Sequence, residues 1–139
     1  MDHLAILSKK RKLLAKIISG EKTVESRWYK FKKTPYKNIE AGDTVYFKES
    51  GDPVTVRSRV RSVLFFDSLS EEGIEGIIGE YGDAIGVDSS YGAEVVGKKY
   101  CTLVFLEDVR EISPFEIDKT GYGIMSAWIT VPSIDKIKK

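Results

Sequence analysis

The chain has 139 residues, of which 42% are hydrophobic and 31% charged, a balance typical of one soluble globular domain over residues 1–139. Its single cysteine excludes an internal disulfide, and its one histidine and one cysteine cannot build a His/Cys zinc site. No apolar run approaches the roughly 20 residues that a membrane-spanning helix needs, so we expect no membrane partner. The single cysteine fits a reducing compartment, so we expect a cytoplasmic protein. No residue pattern calls for a metal or a cofactor, and we expect neither.

The net charge of +1 conceals an uneven distribution along the chain. Residues 1–61 carry 15 Lys and Arg against 7 Asp and Glu, a net charge of +8, whereas residues 62–139 carry 7 against 14, a net charge of −7. This polarity predicts an electropositive region suited to an anionic partner. The alternative is that the two halves neutralise each other across the fold.

The first predicted elements are a short strand over residues 3–7 and a basic amphipathic helix over residues 9–19. Ser8 is placed to cap the start of this helix. Gly20 is placed to end it, because only glycine adopts the left-handed conformation there without steric cost.

Three cations, Lys9, Lys10 and Arg11, fall in the first turn of that helix. Cations are unfavourable at the positive end of the helix dipole, and residues that break such a local rule often belong to functional sites. The turn therefore predicts a phosphate site, with a merely solvated basic face as the alternative.

An extended segment over residues 23–28 follows the helix. Alternation along a strand places Glu25 and Arg27 on one face with Thr23, whereas the direction of Lys22, at the bend, is not fixed. A lysine, a carboxylate and a guanidinium are thus concentrated beside a helix end and predict a site. The alternative is a plain Glu25–Arg27 ion pair that ties the helix to the barrel.

Aromatic residues alternate with lysines over residues 28–37. Aromatic rings such as that of Trp28, next to cations such as Lys32 and Lys33, suit stacking and backbone contacts with single-stranded nucleic acid. The alternative is an edge strand or loop whose aromatic residues pack on the barrel.

A hairpin is predicted from two strands over residues 44–49 and 54–66, joined by a short turn. The second strand carries Arg57, Arg59 and Arg61 on one face, spaced about 6.6 Å apart. Such a ladder could follow a phosphate backbone, or it could simply face water.

A second helix is predicted to begin after Ser70, although its glycines weaken it, and residues 82–97 are interpreted as a loop with a helical turn. Both faces of the strand over residues 98–106 are apolar, so it should be central, with Cys101 in the core, and it should continue past a bulge over residues 109–112. A last strand over residues 125–131 and a short helical turn complete an α+β fold. We expect a small barrel of five to seven mostly antiparallel strands with two or three helices packed outside.

Two catalytic patterns are rejected. Residues 92–99 match a phosphate-loop pattern except at Lys99, where Ser or Thr is needed to hold magnesium. A Ser-His-Asp triad would have to use His3, which we expect to lie near a mobile terminus.

The chain resembles the ASCH domain family of the PUA-like superfamily. The resemblance rests on the pattern Gly20-x-Lys22-Thr23-x-Glu25-x-Arg27 after the basic helix, with support from Ala41-Gly42-Asp43 before a strand and from Trp128. The segment from Phe115 to Trp128 also looks like a group of small uncharacterised archaeal relatives. The resemblance implies a PUA-like barrel with a cleft between the barrel and the first helix, lined by the motif.

RNA binding is the usual expectation for that family, so the resemblance implies a module that binds RNA or a nucleotide-like ligand. The candidate binding residues are Lys22, Glu25, Arg27, Lys10, Arg11, Trp28, Lys32, Lys33, Arg57 and Arg59. Some relatives are amidohydrolases that act on N4-acetylcytidine, which gives an alternative with Lys22 and Glu25 as catalytic residues. Glu25 stands where those relatives have a threonine nucleophile, so it would have to activate a water molecule instead.

Overall fold

The computed structural model describes residues 1–123 and 125–139, and six strands form one curled mixed sheet in the order β2-β5-β4-β3-β1-β6. The strands are β1 (Asp2–Leu7), β2 (Val24–Tyr29), β3 (Thr44–Glu49), β4 (Val54–Phe66), β5 (Tyr100–Phe115) and β6 (Trp128–Val131). The helices are α1 (Leu13–Ser19) and α2 (Glu71–Ile85), and short 3₁₀ turns lie at Lys9–Arg11, Ser89–Ala93 and Ile134–Lys136. The predicted α+β class and small PUA-like barrel are confirmed.

The sheet is antiparallel except between β1 and β3. Parallel neighbours need a long crossover connection, and the chain between β1 and β3 supplies one that carries both α1 and β2. The long β4 pairs with β3 on one side and β5 on the other, and the shifts in the β4–β5 register agree with the predicted bulge.

Strand β5 is buried on both faces in its first half, as predicted. Val104 and Leu106 face the barrel interior, whereas Cys101 and Leu103 pack with the apolar residues of α2. The Cys101 side chain has no exposed surface, and burial raises the pKa of its thiol. Cys101 is therefore a core residue.

The prediction of one continuous helix over residues 9–19 is wrong. The chain forms a 3₁₀ turn at Lys9–Arg11, then Lys12 takes a left-handed conformation with φ of 54°, and α1 begins only at Leu13. Ser8 does cap the 3₁₀ turn, and Gly20 does end α1 in the left-handed region with φ of 84°. The basic turn is thus separated from the start of α1, which removes the helix-dipole argument for a phosphate site there.

The segment over residues 82–97 is more regular than predicted. Helix α2 continues to Ile85 and ends at Gly86, whose φ is 87°, and the chain then makes the 3₁₀ turn at Ser89–Ala93. Asp88 caps that turn by accepting a hydrogen bond from the backbone N–H of Ser90 at 2.9 Å. Strand β6 is shorter than the predicted strand and begins at Trp128.

His3 is not mobile, because β1 is inserted between β3 and β6 and the side chain has no exposed surface. The indole N–H of Trp128 donates to His3 Nδ1 at 3.1 Å, so Nδ1 is an acceptor and Nε2 donates to Asp43 Oδ2 at 2.8 Å. Thr130 Oγ1 lies 2.9 Å from Nδ1. The histidine of β1 therefore joins β6 to the turn that precedes β3 from inside the fold. No helix in the described part of the chain is long and apolar enough to cross a bilayer.

Candidate functional site

Lys22 is buried at the bend between α1 and β2, with 1% of its surface exposed. Its Nζ donates to the carbonyl oxygens of Val24 at 2.6 Å and Ile85 at 2.7 Å, and it lies 3.0 Å from Glu25 Oε1. These contacts use all three donors of the ammonium group. Burial lowers the pKa of Lys22, although the charge of Glu25 opposes the shift.

Glu25, on β2, lies between the cationic groups of Lys22 and Arg27. Its Oε1 faces Lys22, and its Oε2 accepts hydrogen bonds from Arg27 Nε at 3.0 Å and Nη2 at 2.7 Å. Burial by itself would raise the pKa of Glu25, but the two cations hold it below its ordinary value. The carboxylate therefore stays charged inside the protein and retains one acceptor position beyond these three contacts.

Arg27 joins the two edges of the curled sheet. Its Nη1 donates to the carbonyl oxygen of Ala127 and its Nη2 to that of Ile6, each at 3.2 Å, and its guanidinium lies 5.1 Å from the ring centre of Trp128. Burial opposes ionisation, but Glu25 and Tyr29 together raise the pKa of Arg27. The predicted Glu25–Arg27 pair is therefore present, and its guanidinium also bridges the two edges of the curled sheet.

A cavity of about 590 Å³ lies beside these three residues, and Lys22, Glu25, Arg27 and Trp28 all line it. Residues within 6–13, 85–98 and 125–127 complete the lining, together with Ser26, Tyr29, Ser50 and Lys119. The predicted cleft thus exists, but α1 contributes only Leu13 to it. Most of the opposite wall comes from the chain that follows α2, which is a correction to the expected position between the barrel and the first helix.

Tyr91 and Glu94, in the segment that follows α2, form that opposite wall. The Tyr91 ring lies edge-on to Trp28 with 6.4 Å between ring centres, and the guanidinium of Arg11 lies 5.0 Å from the centre of the Tyr91 ring. Arg11 also forms an ion pair with Glu94. Burial raises the pKa of Tyr91, and the charge of Glu25 adds to that shift, so the tyrosine keeps its phenolic proton.

The other predicted binding residues lie outside the cavity lining. Lys10 is exposed on the 3₁₀ turn, and Arg57 and Arg59 point to solvent from β4. Lys32 and Lys33 line a separate surface depression, although Lys33 Nζ lies 5.3 Å from the ring centre of Tyr29, which does line the cavity. The structure therefore brings together the motif and Trp28, places Arg11 behind the wall, and separates the arginine ladder from the site.

Sequence reasoning missed Tyr91, Glu94, Lys98 and Lys119 as cavity residues. They lie far along the chain from the motif, in segments with no strong periodicity, and the sequence holds no local signal that would bring them to β2. Among the residues that the structure describes, no group of three or more His, Cys, Asp or Glu side chains is arranged to hold a metal ion.

Comparison with known proteins shows what the fold resembles. Searches against protein-family profiles and against curated proteins find no match. The crystal structure of ASCH from Zymomonas mobilis superposes with a TM-score of 0.72 at 15% identity, covering 97% of this chain and 90% of that one. A mutant of the same protein, ZmASCH, gives the same TM-score over 97% and 93% of the two chains. A hypothetical protein, PH0355, matches with a TM-score of 0.52 at 18% identity, over 81% of this chain and 100% of that one.

The similarity to these solved structures concerns the fold that the sequence resemblance implied. The Zymomonas mobilis structures cover nearly the whole chain, so the similarity extends over the barrel, both helices and the segment that forms the cavity wall. The chain therefore has the fold of ASCH domain proteins.

Proposed function

We propose that the cavity beside Lys22, Glu25 and Arg27 binds a nucleotide-like ligand, either free or as part of a single-stranded RNA. The observation that carries the proposal is that the motif and Trp28 line one cavity of about 590 Å³, within the size range of small-ligand sites.

The three motif residues serve mainly to build the site. Lys22 uses all its N–H groups within the protein, and Arg27 donates to Glu25, Ile6 and Ala127. Glu25 alone retains an acceptor position, and it lines the cavity. A fixed carboxylate with one open lone pair suits an exocyclic amine of a nucleobase.

The walls supply the remaining contacts. Trp28, Tyr29 and Tyr91 give the cavity aromatic surface on which a base can stack. Lys98 also lines the cavity and is half-buried, so it is placed to meet a phosphate. Lys33, beside Tyr29, extends the positive charge outward toward the lysine-rich segment over residues 30–37.

A labelled single-stranded RNA, titrated at two salt concentrations, tests this proposal. Tyr91→Ala should weaken binding roughly tenfold or more, the loss of one stacked base. Lys98→Ala should lower the slope of log affinity against log salt by about one, the loss of one phosphate contact. Cytidine 5′-monophosphate should compete with the RNA, because both would occupy the cavity.

The matched control is Arg57→Ala, which removes an exposed cation from the ladder outside the cavity. It should leave the affinity nearly unchanged. Wild-type protein that binds neither the RNA nor cytidine 5′-monophosphate at low salt would refute the proposal. So would an Arg57→Ala variant that loses as much affinity as Tyr91→Ala, because the ladder would then be the binding surface.

A second candidate is hydrolysis of a modified nucleoside such as N4-acetylcytidine, and the lowered pKa of Lys22 favours it. A lysine that burial makes easier to deprotonate can act as a general base, with Glu25 activating a water molecule. Both groups would first have to release the contacts that hold them. Incubation with N4-acetylcytidine tests this directly: formation of cytidine and acetate supports it, and unchanged substrate eliminates it.

A further inference from the structure

A second groove, separate from the motif cavity, lies between α2 and the chain that follows it. Its volume is about 690 Å³, and its apolar lining includes Ile74, Ile78, Val87 and Val96. Val96 is 61% exposed, which is unusual for a valine beside a helix that packs on the core. Ile74 and Ile78 are only 4% and 8% exposed, so the uncovered apolar surface of the groove comes from Val96 and the half-buried Val87.

Glycines in α2 create room in this groove. Gly79 and Gly82 line it, and a Cβ placed on Gly79 would meet no atom within 4 Å. Glycine in a helix interior costs about 1 kcal/mol relative to alanine. Gly79 thus keeps the groove open at the expense of helix stability, and the packing of the single chain does not explain its presence. Gly82 differs, because a Cβ there would lie 3.4 Å from the carbonyl oxygen of Val87.

The rim of the groove is acidic. Four of its lining residues are carboxylates and none is basic. These carboxylates are Glu71, Glu75, Asp83 and Asp88. Helix α2 as a whole contains five acidic residues and no Lys or Arg. An apolar floor inside a negative rim matches a segment that carries an apolar side chain between cations.

The chain itself presents such a segment on another surface. Phe31 is 79% exposed, and it is flanked by Lys30 and by Lys32 and Lys33, all of which are exposed. Lys37 lies in the same depression as Lys32 and Lys33. Phe31 is thus an exposed apolar side chain between cations, and those cations have the opposite charge to the carboxylates at the rim of the groove.

We propose that the protein associates head to tail, with the Phe31 segment (residues 30–33) of one copy inserted into the α2 groove of the next. The two surfaces are different parts of the molecule, so the contact is heterologous and leaves one free surface at each end of an assembly. A contact of one aromatic anchor and a few charge pairs is small, so the association is weak and reversible. The inference does not depend on what the motif cavity binds.

Sedimentation velocity of nucleic-acid-free protein up to about 1 mM tests this proposal. The weight-average sedimentation coefficient should rise with concentration, and raising the salt from 50 to 500 mM should weaken the association about tenfold. Phe31→Ser and Gly79→Leu should each abolish the rise, the first by removing the anchor and the second by filling the groove. Gly76→Leu is the matched control, because Gly76 is on the same helix with the same free space but outside the groove.

A mixture of the two variants gives the sharpest result. Phe31→Ser keeps an open groove and Gly79→Leu keeps the anchor, so an equimolar mixture should form a dimer and nothing larger. Wild-type protein that stays monomeric at about 1 mM would overturn the proposal. So would Gly79→Leu protein that associates as Gly76→Leu does, or a mixture that forms no dimer when the wild type associates.

Discussion

Arg27 of β2 donates a hydrogen bond of 3.2 Å to the carbonyl oxygen of Ala127, the residue that immediately precedes β6. Strands β2 and β6 are the two ends of the strand order, so one side chain joins the two edges of the sheet. The same guanidinium holds Glu25 and stacks over Trp128. The link between the two edges of the sheet and the construction of the cavity therefore involve the same residue.

Replacement of Arg27 by lysine should lower the free energy of unfolding by about 2–4 kcal/mol. Lysine keeps the charge but cannot make the forked contacts to Glu25, Ile6 and Ala127 at once, so buried acceptors lose their partners. Denaturant unfolding measures the loss. Arg59→Lys on the exposed face of β4 is the control and should stay within about 0.5 kcal/mol of wild type. A small effect at both positions would show that the barrel closes without the arginine.

Lys22→Met should destabilise the protein by about 3–5 kcal/mol, because it leaves the buried Glu25 with one cation instead of two. Addition of Glu25→Gln should recover part of that loss, since the double variant no longer buries an undercompensated charge. A double-mutant cycle in urea measures the coupling. Strictly additive losses would contradict the ion network described here.

Stability should fall as the pH drops below about 6.5, because of His3. Burial lowers the pKa of this histidine, although the hydrogen bond to Asp43 opposes the shift, so the unfolded chain takes up a proton before the folded protein does. Between the folded pKa and 6.5 the loss approaches about 1.4 kcal/mol per pH unit. NMR titration of the single histidine in the folded protein should give a pKa below the ordinary value of 6.5, and a pKa above 6.5 would contradict this account.

Two glycines, Gly79 inside α2 and Gly86 at its C-terminal end, should respond in opposite directions to alanine. Gly79→Ala should stabilise the protein by about 1 kcal/mol, because the helix gains propensity and the new Cβ meets no atom within 4 Å. Gly86→Ala should destabilise it, because Gly86 has φ of 87° and its Cβ would lie 3.4 Å from Lys22 Cβ. Thermal unfolding distinguishes the two, and stabilisation by Gly86→Ala would be the contradicting result.

Strand content and the grouping of Glu25 with Arg27 could be predicted because both depend on local patterns. Alternation predicted β4 over residues 54–66 to the residue, and it placed Glu25 and Arg27 on one face. Lys22 stands at the bend, where alternation has no meaning, so its burial between Val24 and Ile85 could not be foreseen.

Other features depend on distant parts of the chain. The break at Lys12 interrupts a pattern that fits a helix, and it is a single-residue conformation that helical periodicity does not detect. Tyr91 reaches Trp28 only because α2 returns the chain to β2, a tertiary arrangement that no local pattern encodes. His3 looked mobile from its position in the sequence, whereas its pairing partners lie 40 or more residues away.

The central claim is that the cavity beside the motif is the binding site, and the two indole N–H resonances of the protein test it in one NMR titration with cytidine 5′-monophosphate. Trp28 lines the cavity, whereas Trp128 is buried and donates to His3. We predict that the Trp28 indole resonance shifts and saturates while that of Trp128 moves much less. Saturable binding that leaves the Trp28 indole unmoved, or the absence of any binding at low salt, would contradict the claim.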